Sequence, residues 1–169
     1  KDFLFDYVRR YFPQEVAPPP AERLWTFLEF LQREARRFNL TAIHDTGEMV
    51  TRHLIDSLAP LAQPDLPIDT KAGLRALDVG SGNGVPGLVV AIVFPQWKVE
   101  LLESNGKKVE FQRQAAKEVG ATHVKVIQGR AEVAARDATR RDGFDLVIAR
   151  ALATLPTTLE LCLPFVKPE

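Results

Sequence analysis

Apolar residues recur three and four positions apart through the first third of the chain, and this spacing predicts helices over 3–12, 21–38 and 47–61. In the second of these, Leu24, Phe27, Leu28 and Leu31 form the apolar stripe, while Glu29, Arg33 and Arg36 fall opposite. Pro18, Pro19 and Pro20 separate the first two helices, and Pro20 suits the first turn of the second. The stretch 63–73, with Pro64, Pro67 and Gly73, reads as a linker. Beyond it, short apolar runs at 75–79, 98–102, 124–128 and 145–149 alternate with amphipathic stretches at 87–94, 107–119, 132–139 and 155–163. Strand and helix in strict alternation, joined by right-handed crossovers, give a parallel sheet with helices on both faces, a Rossmann-like α/β fold. The expected organisation is a helical extension or cap over 1–62, a linker over 63–73 and a core over 74–169.

Composition narrows this picture. A chain of 169 residues, 46% hydrophobic and 26% charged, fits one globular core and neither a disordered nor a membrane class. Lys+Arg and Asp+Glu both number 22, so no global field draws in a polyanion. A nucleic-acid partner must then meet a local basic face or belong to a larger assembly. Lys107, Lys108, Arg113 and Lys117 along one helix, and Arg33, Arg36 and Arg37 along another, are candidates for such a face. A solvated helix surface explains them equally well.

The single cysteine, Cys162, excludes an internal disulfide framework and fits a reducing cytoplasm; among Leu159, Leu161 and Leu163 it reads as core packing. His44, His53 and His123 share no ligand spacing, so no metal is expected. The opening KDFLFDYVRRYF lacks a continuous apolar segment of secretory or membrane-spanning length. The chain starts without Met and ends, at 166–169, on what reads as the approach to another strand, so trimmed termini are expected.

The run LDVGSGNGVPG places a strand, a glycine-rich turn and a helix start within a few residues. Gly80, Ser81, Gly82 and Gly84 let the backbone turn sharply and approach a ligand, and the amides opening the helix face it. A turn that merely joins strand to helix is the plainer alternative. Asp78, just before the turn, favours a ligand that offers an ammonium group there over a dinucleotide that offers phosphates. S-adenosylmethionine is therefore expected rather than NAD. Glu103, about 20 residues beyond the loop, fits the acid that accepts hydrogen bonds from ribose hydroxyls. Ala131 and Glu132, after the third strand, stand where backbone amides meet an adenine edge, although Glu132 also suits a helix start on electrostatic grounds. Arg150 follows the fourth strand and emerges at the carboxyl edge, where its planar fork can hold a carboxylate or a guanine acceptor edge; a surface ion pair is the alternative. His53 and Asp56, three apart on one helix, are candidate substrate contacts.

These residues resemble one family closely, the bacterial small-subunit (16S) ribosomal RNA methyltransferases of the RsmG or GidB type, which make 7-methylguanosine. The resemblance rests on NLTAI (39–43), Glu48 with RHLIDSL (52–58), LDVGSGNGVPG (77–87), LLESNGKKVEF (101–111), GRAE (129–132) and ARA (149–151). It implies cofactor contacts at Gly80, Val85, Glu103, Ser104, Asn105, Ala131, Glu132 and Arg150, with Arg150 also the candidate catalytic residue. Arg52, His53, Asp56, Lys107 and Lys108 become substrate candidates. It further implies a cytoplasmic, monomeric enzyme whose partner is ribosomal RNA or the ribosomal subunit, and strands beyond residue 169 that complete the sheet.

Position 7 of guanine carries a lone pair and no proton, so the implied reaction needs no general base, and the loop region offers neither a Ser-His-Asp arrangement nor paired acids. The Asn/Asp-Pro-Pro-aromatic run usual for exocyclic amino methylation is absent after the fourth strand, where 148–151 read IARA. Two other classes stay open. An NAD-dependent oxidoreductase would need a catalytic Tyr-Lys or His-Asp set, and the only tyrosines are Tyr7 and Tyr11. A non-catalytic S-adenosylmethionine-binding or assembly module would need only the loop.

Overall fold

The computed structural model describes residues 1–13, 19–38 and 40–168; Pro18, Asn39, Glu169 and the side chains of Arg36, Arg37 and Phe38 lie outside the described residues. Its centre is a parallel sheet of β1 (Arg75–Val79), β2 (Lys98–Glu103), β3 (Lys125–Gln128) and β4 (Leu146–Ile148), in the order β3-β2-β1-β4. Alternate residues serve two cores, as the two-residue period of a strand demands. Ala76, Val99, Leu101, Val126, Leu146 and Ile148 pack on one face, and Leu77, Val79, Leu102, Ile127 and Val147 on the other.

The first face is covered by α5 (Gly87–Val93) and α6 (Gly106–Glu118), and over them lie α1 (Asp2–Tyr11) and α2 (Pro20–Phe38). The stripe Leu24, Phe27, Leu28 and Leu31 is wholly buried there, and Phe30 stacks on Phe111 of α6 at 5.4 Å between ring centres. The second face carries α7 (Ala131–Ala134), α8 (Leu155–Cys162) and the single turn Leu163–Phe165, with Phe144 and Phe165 fully buried between them. Cys162 is half-buried against this second core, as expected, whereas Leu155, Leu159 and Leu163 are exposed.

Two expected helices differ. The stretch 47–61 is not one regular helix: α3 (Thr46–Met49), capped by the Asp45 carboxylate on the Glu48 N–H, widens into a π turn over Val50–Ile55. It narrows again through α4 (Asp56–Leu58) to a 3-10 turn at Ala59–Ala62, where Pro60 cannot donate to a longer ladder. The stretch 132–139 shortens to α7, because the Asp137 carboxylate accepts from the N–H and hydroxyl of Thr139 and so offers the backbone a turn in place of helix. Among the described residues, no helix is long and apolar enough to cross a membrane, and no three His, Cys, Asp or Glu side chains group as a metal site.

Candidate active site

The register aligns the carboxyl ends of the strands: Val79 pairs with Leu102, Glu103 with Gln128, and Asp78 with Ile148. Everything that follows β1, β2, β3 and β4 therefore emerges along one edge, at the crevice where the helices change faces. The glycine turn begins with Gly80 and Ser81, both donating to the Leu102 carbonyl, at 2.9 and 3.1 Å. Gly80, Gly82 and Gly84 have φ of 71°, 55° and 81°, a region that side chains rarely enter. Their surroundings differ. A Cβ on Gly80 would meet Leu152 at 2.4 Å and one on Gly84 would meet Leu88 at 2.6 Å, but beside Gly82 nothing lies closer than 3.7 Å. Gly87 serves packing instead, because its missing Cβ would lie 2.2 Å from Leu101 and 2.7 Å from the Asp78 carboxylate, so α5 can rest on β1 and β2 only through a glycine. Val85 is buried and the Val85–Pro86 peptide is cis.

Asp78 lies beneath this turn with no exposed surface. Its Oδ2 accepts from the Gly87 N–H at 2.8 Å, while Oδ1 has no partner. Burial pushes its carboxyl up to about 7, and the Gly87 N–H and the Arg150 charge only partly offset this. A buried acid with one unmatched oxygen is a place where a cation is favourable and an anion is not.

Glu103 closes the opposite wall. Its Oε2 accepts from the Gly82 N–H and its Oε1 from the Asn105 N–H, both at 2.8 Å, with the Ser104 hydroxyl at 3.5 Å. Oε2 keeps a second lone pair, so the group is aimed by the loop and still able to accept from a ribose hydroxyl. Asn105 also caps α6, its Oδ1 accepting from the Lys107 and Lys108 N–H groups at 2.9 and 3.3 Å. The Gly129 N–H donates to the Glu103 carbonyl at 2.9 Å, which holds Ala131 and Glu132 beside the same wall at the start of α7.

Arg150 leaves β4 toward the helical extension. Its guanidinium donates to the Arg52 carbonyl and, at 3.1 Å, to His53 Nδ1. His53 is buried, and its Nε2 lies 3.0 Å from the Thr41 hydroxyl, so both ring nitrogens are engaged inside the protein. Burial first and the Arg150 charge second push the imidazole down to about 4, against the pull of Asp56, which is itself exposed. The Arg52 side chain points outward in an ion pair with Glu48 at 3.0 Å.

Two contributors escaped the sequence reading. Gln112, fully buried on α6, donates to the Ser81 hydroxyl at 2.9 Å and to the Gly82 carbonyl at 2.7 Å, tying the turn to the helix. Its signal was available: an amide standing in the apolar row of Val109, Ala115 and Ala116 must find a partner. Leu152, over Gly80, carried no such signal, because only the left-handed Ala151, at φ 52°, turns the chain back across the crevice.

Comparison with known proteins agrees with the fold. The family model described as rRNA small subunit methyltransferase G, GidB, matches residues 21–169. The ribosomal RNA small subunit methyltransferase G of Chromohalobacter salexigens is 45% identical over 150 residues, covering 89% of this chain and 66% of that protein. That of Alkaliphilus metalliredigens is 37% identical over 146 residues, covering 86% and 59%. The chain thus spans between 58% and 66% of the length of the first such relatives. Among solved structures, a putative O-methyltransferase from Klebsiella pneumoniae superposes with a TM-score of 0.62 at 19% identity, covering 96% of this chain and 66% of that one.

Proposed function

The chain belongs to the GidB family of rRNA small subunit methyltransferases, and from that premise we propose that it holds S-adenosylmethionine and directs methyl transfer to N7 of a guanine in small-subunit ribosomal RNA. The observation that carries this reading is Asp78: buried, half-matched, and set under the glycine turn. An ammonium group near Oδ1 supplies the charge that this oxygen lacks, whereas the pyrophosphate of a dinucleotide would meet repulsion there. Gly80, Ser81, Gly82, Gly84 and Val85 form the cradle, and the open side of Gly82 is where a ligand approaches the backbone. Glu103, with Ser104 and Asn105, takes the ribose hydroxyls, and the amides of Ala131 and Glu132 read the adenine edge.

When bound, S-adenosylmethionine supplies an electrophilic sulfonium methyl group. Guanine N7 holds a lone pair and no proton, so no residue has to act as a base, and Asp78 and Glu103 serve to hold the cofactor rather than to take a proton from the substrate. What the chain contributes is placement, which is worth up to ~7–11 kcal/mol of barrier when two reactants are held in line. Arg150 is the residue in position to fix the methionine carboxylate or the guanine acceptor edge at the carboxyl edge. The Arg52 backbone meets Arg150, Asp56 is near it, and Lys107 and Lys108 open α6 across the sheet; these are the candidate substrate contacts on either side of the crevice. On this reading the partner is ribosomal RNA or a ribosomal subunit, and the protein works in the cytoplasm as a monomer.

Transfer of labelled methyl from S-adenosylmethionine to small-subunit ribosomal RNA, offered naked and as assembled subunits, tests the reading. Label should appear as 7-methylguanosine with the parent chain and disappear with Arg150→Ala, whose circular dichroism should be unchanged. Cofactor binding without any labelling would indicate a binding module instead. Preferential binding of NAD would indicate an oxidoreductase.

A further inference from the structure

We propose that His53 is a positioning residue: a neutral imidazole protonated on Nε2 that, from inside the helical extension, fixes the guanidinium of Arg150 at the carboxyl edge of the sheet. This rests on the role assigned above to Arg150. An arginine carries only donors, so the 3.1 Å contact from its Nη2 makes His53 Nδ1 the acceptor, and that nitrogen bears no proton. The ring proton is then on Nε2 and donates to the Thr41 hydroxyl 3.0 Å away, whose oxygen also accepts the Ile43 N–H at 3.1 Å. The N–H of Ile43, Nε2 of His53 and Nη2 of Arg150 each meet an acceptor, and only this tautomer allows it.

The surroundings keep the ring neutral. It is buried, it faces a permanent cation, and exposed Asp56 is the nearby acid that favours its charged form. A doubly protonated ring would have no lone pair for Arg150 and would repel it. The second acceptor of the guanidinium, the Arg52 carbonyl, is adjacent in sequence and lies in the same π turn. That wide turn, marked by the Asp56 N–H reaching back five residues to the Thr51 carbonyl, brings one carbonyl and one ring nitrogen to bear on a single side chain. Such turns recur at functional sites. On the other side of the contact, Ala151 takes the left-handed backbone at φ 52°, so the chain turns sharply straight after Arg150. The contact joins positions 97 residues apart and makes the helical extension part of the site. With both nitrogens used, His53 acts through Arg150 and not on a substrate.

The two amide replacements separate the functions of the ring. His53→Asn keeps an acceptor near Nδ1, and His53→Gln keeps an amide near Nε2 but withdraws the acceptor from Arg150. In the full chain, S-adenosylmethionine affinity by calorimetry, kcat and KM for methyl transfer, thermal unfolding, and the histidine tautomer by long-range nitrogen-proton NMR are measured together. We expect His53→Gln to lose about tenfold to a hundredfold in affinity or kcat, the scale of a misplaced group. His53→Asn should stay close to the parent, and His53→Gln should add nothing to Arg150→Ala. NMR of the parent near neutral pH should show a ring protonated on Nε2 alone. A ring protonated on Nδ1 would overturn the proposal, as would equal losses in both His53 variants that track lost thermal stability. Normal behaviour of His53→Gln beside an impaired Arg150→Ala would overturn it while leaving Arg150 in the site. An unimpaired Arg150→Ala would remove Arg150 itself.

Discussion

Asp78 and His53 titrate in opposite senses over one range of pH. Burial raises Asp78 from 3.8 to about 7, so between those values the folded chain holds a proton that the unfolded chain has released, and stability falls as pH rises. His53 is lowered from 6.5 to about 4, so between those values the unfolded chain holds the proton, and stability rises with pH. Each slope is at most about 1.4 kcal/mol per pH unit, and over the shared window they oppose one another. Asp78→Asn, which keeps an acceptor for the Gly87 N–H, leaves the histidines: His53, and His123, which burial also lowers. Its melting temperature should therefore climb from about pH 4 to about pH 6.5 more steeply than the parent's, where Asp78 opposes the rise; the same profile in both would contradict the assignment. An ammonium group near Asp78 favours its ionised form, so affinity for S-adenosylmethionine should strengthen as pH rises through about 7, with proton release on binding. Calorimetry in buffers of different ionisation enthalpy reads both.

At the scale of elements, the glycines of one loop divide into two kinds. Gly87 is closed on by Leu101 and Asp78, so Gly87→Ala should push α5 off the sheet and cost about 1–3 kcal/mol in chemical unfolding. Gly82 is open, so Gly82→Ala should cost only the left-handed backbone, about 1–2 kcal/mol, yet weaken cofactor binding more than Gly87→Ala does. Similar affinities for the two variants would argue that no ligand approaches at Gly82. Gln112→Leu, which strips two donors from the turn, should destabilise by about 1–3 kcal/mol although it fills the same space. The strands, their order of alternation with helices and the loop acids were legible because period, glycine spacing and a strand-end carboxylate are local signals. The π turn at 50–55 was not: Leu54 and Leu58 keep the apolar spacing of an ordinary helix, and the side chain that the turn meets, Arg150, lies 97 residues from His53. For the same reason His53 and Asp56, three positions apart, read alike as candidate substrate contacts, when the His53 ring is turned inward and Asp56 is exposed.

For the whole molecule, the helical extension and the sheet share one apolar cluster that runs from Leu4 through Phe27 and Leu31 to Leu88, Leu101 and Phe111. Arg23 also donates to the Val119 carbonyl at the end of α6, and Trp97 and Gln96 both donate to the Thr70 carbonyl in the stretch read as a linker. We expect residues 1–62 and the core from 74 onward to unfold in a single transition, seen together by tryptophan fluorescence (Trp25 in one part, Trp97 in the other) and by circular dichroism. Two separated transitions would make the extension an independent unit. The proposed activity depends on what fills the crevice above Asp78 and beside Glu103. A crystal structure of the chain grown with S-adenosylmethionine tests it most directly. The amino-acid end should lie over the turn at 80–84 with its ammonium group toward Asp78, and the ribose hydroxyls should meet Glu103. A cofactor bound elsewhere, or a crevice that takes a pyrophosphate in preference, would contradict it.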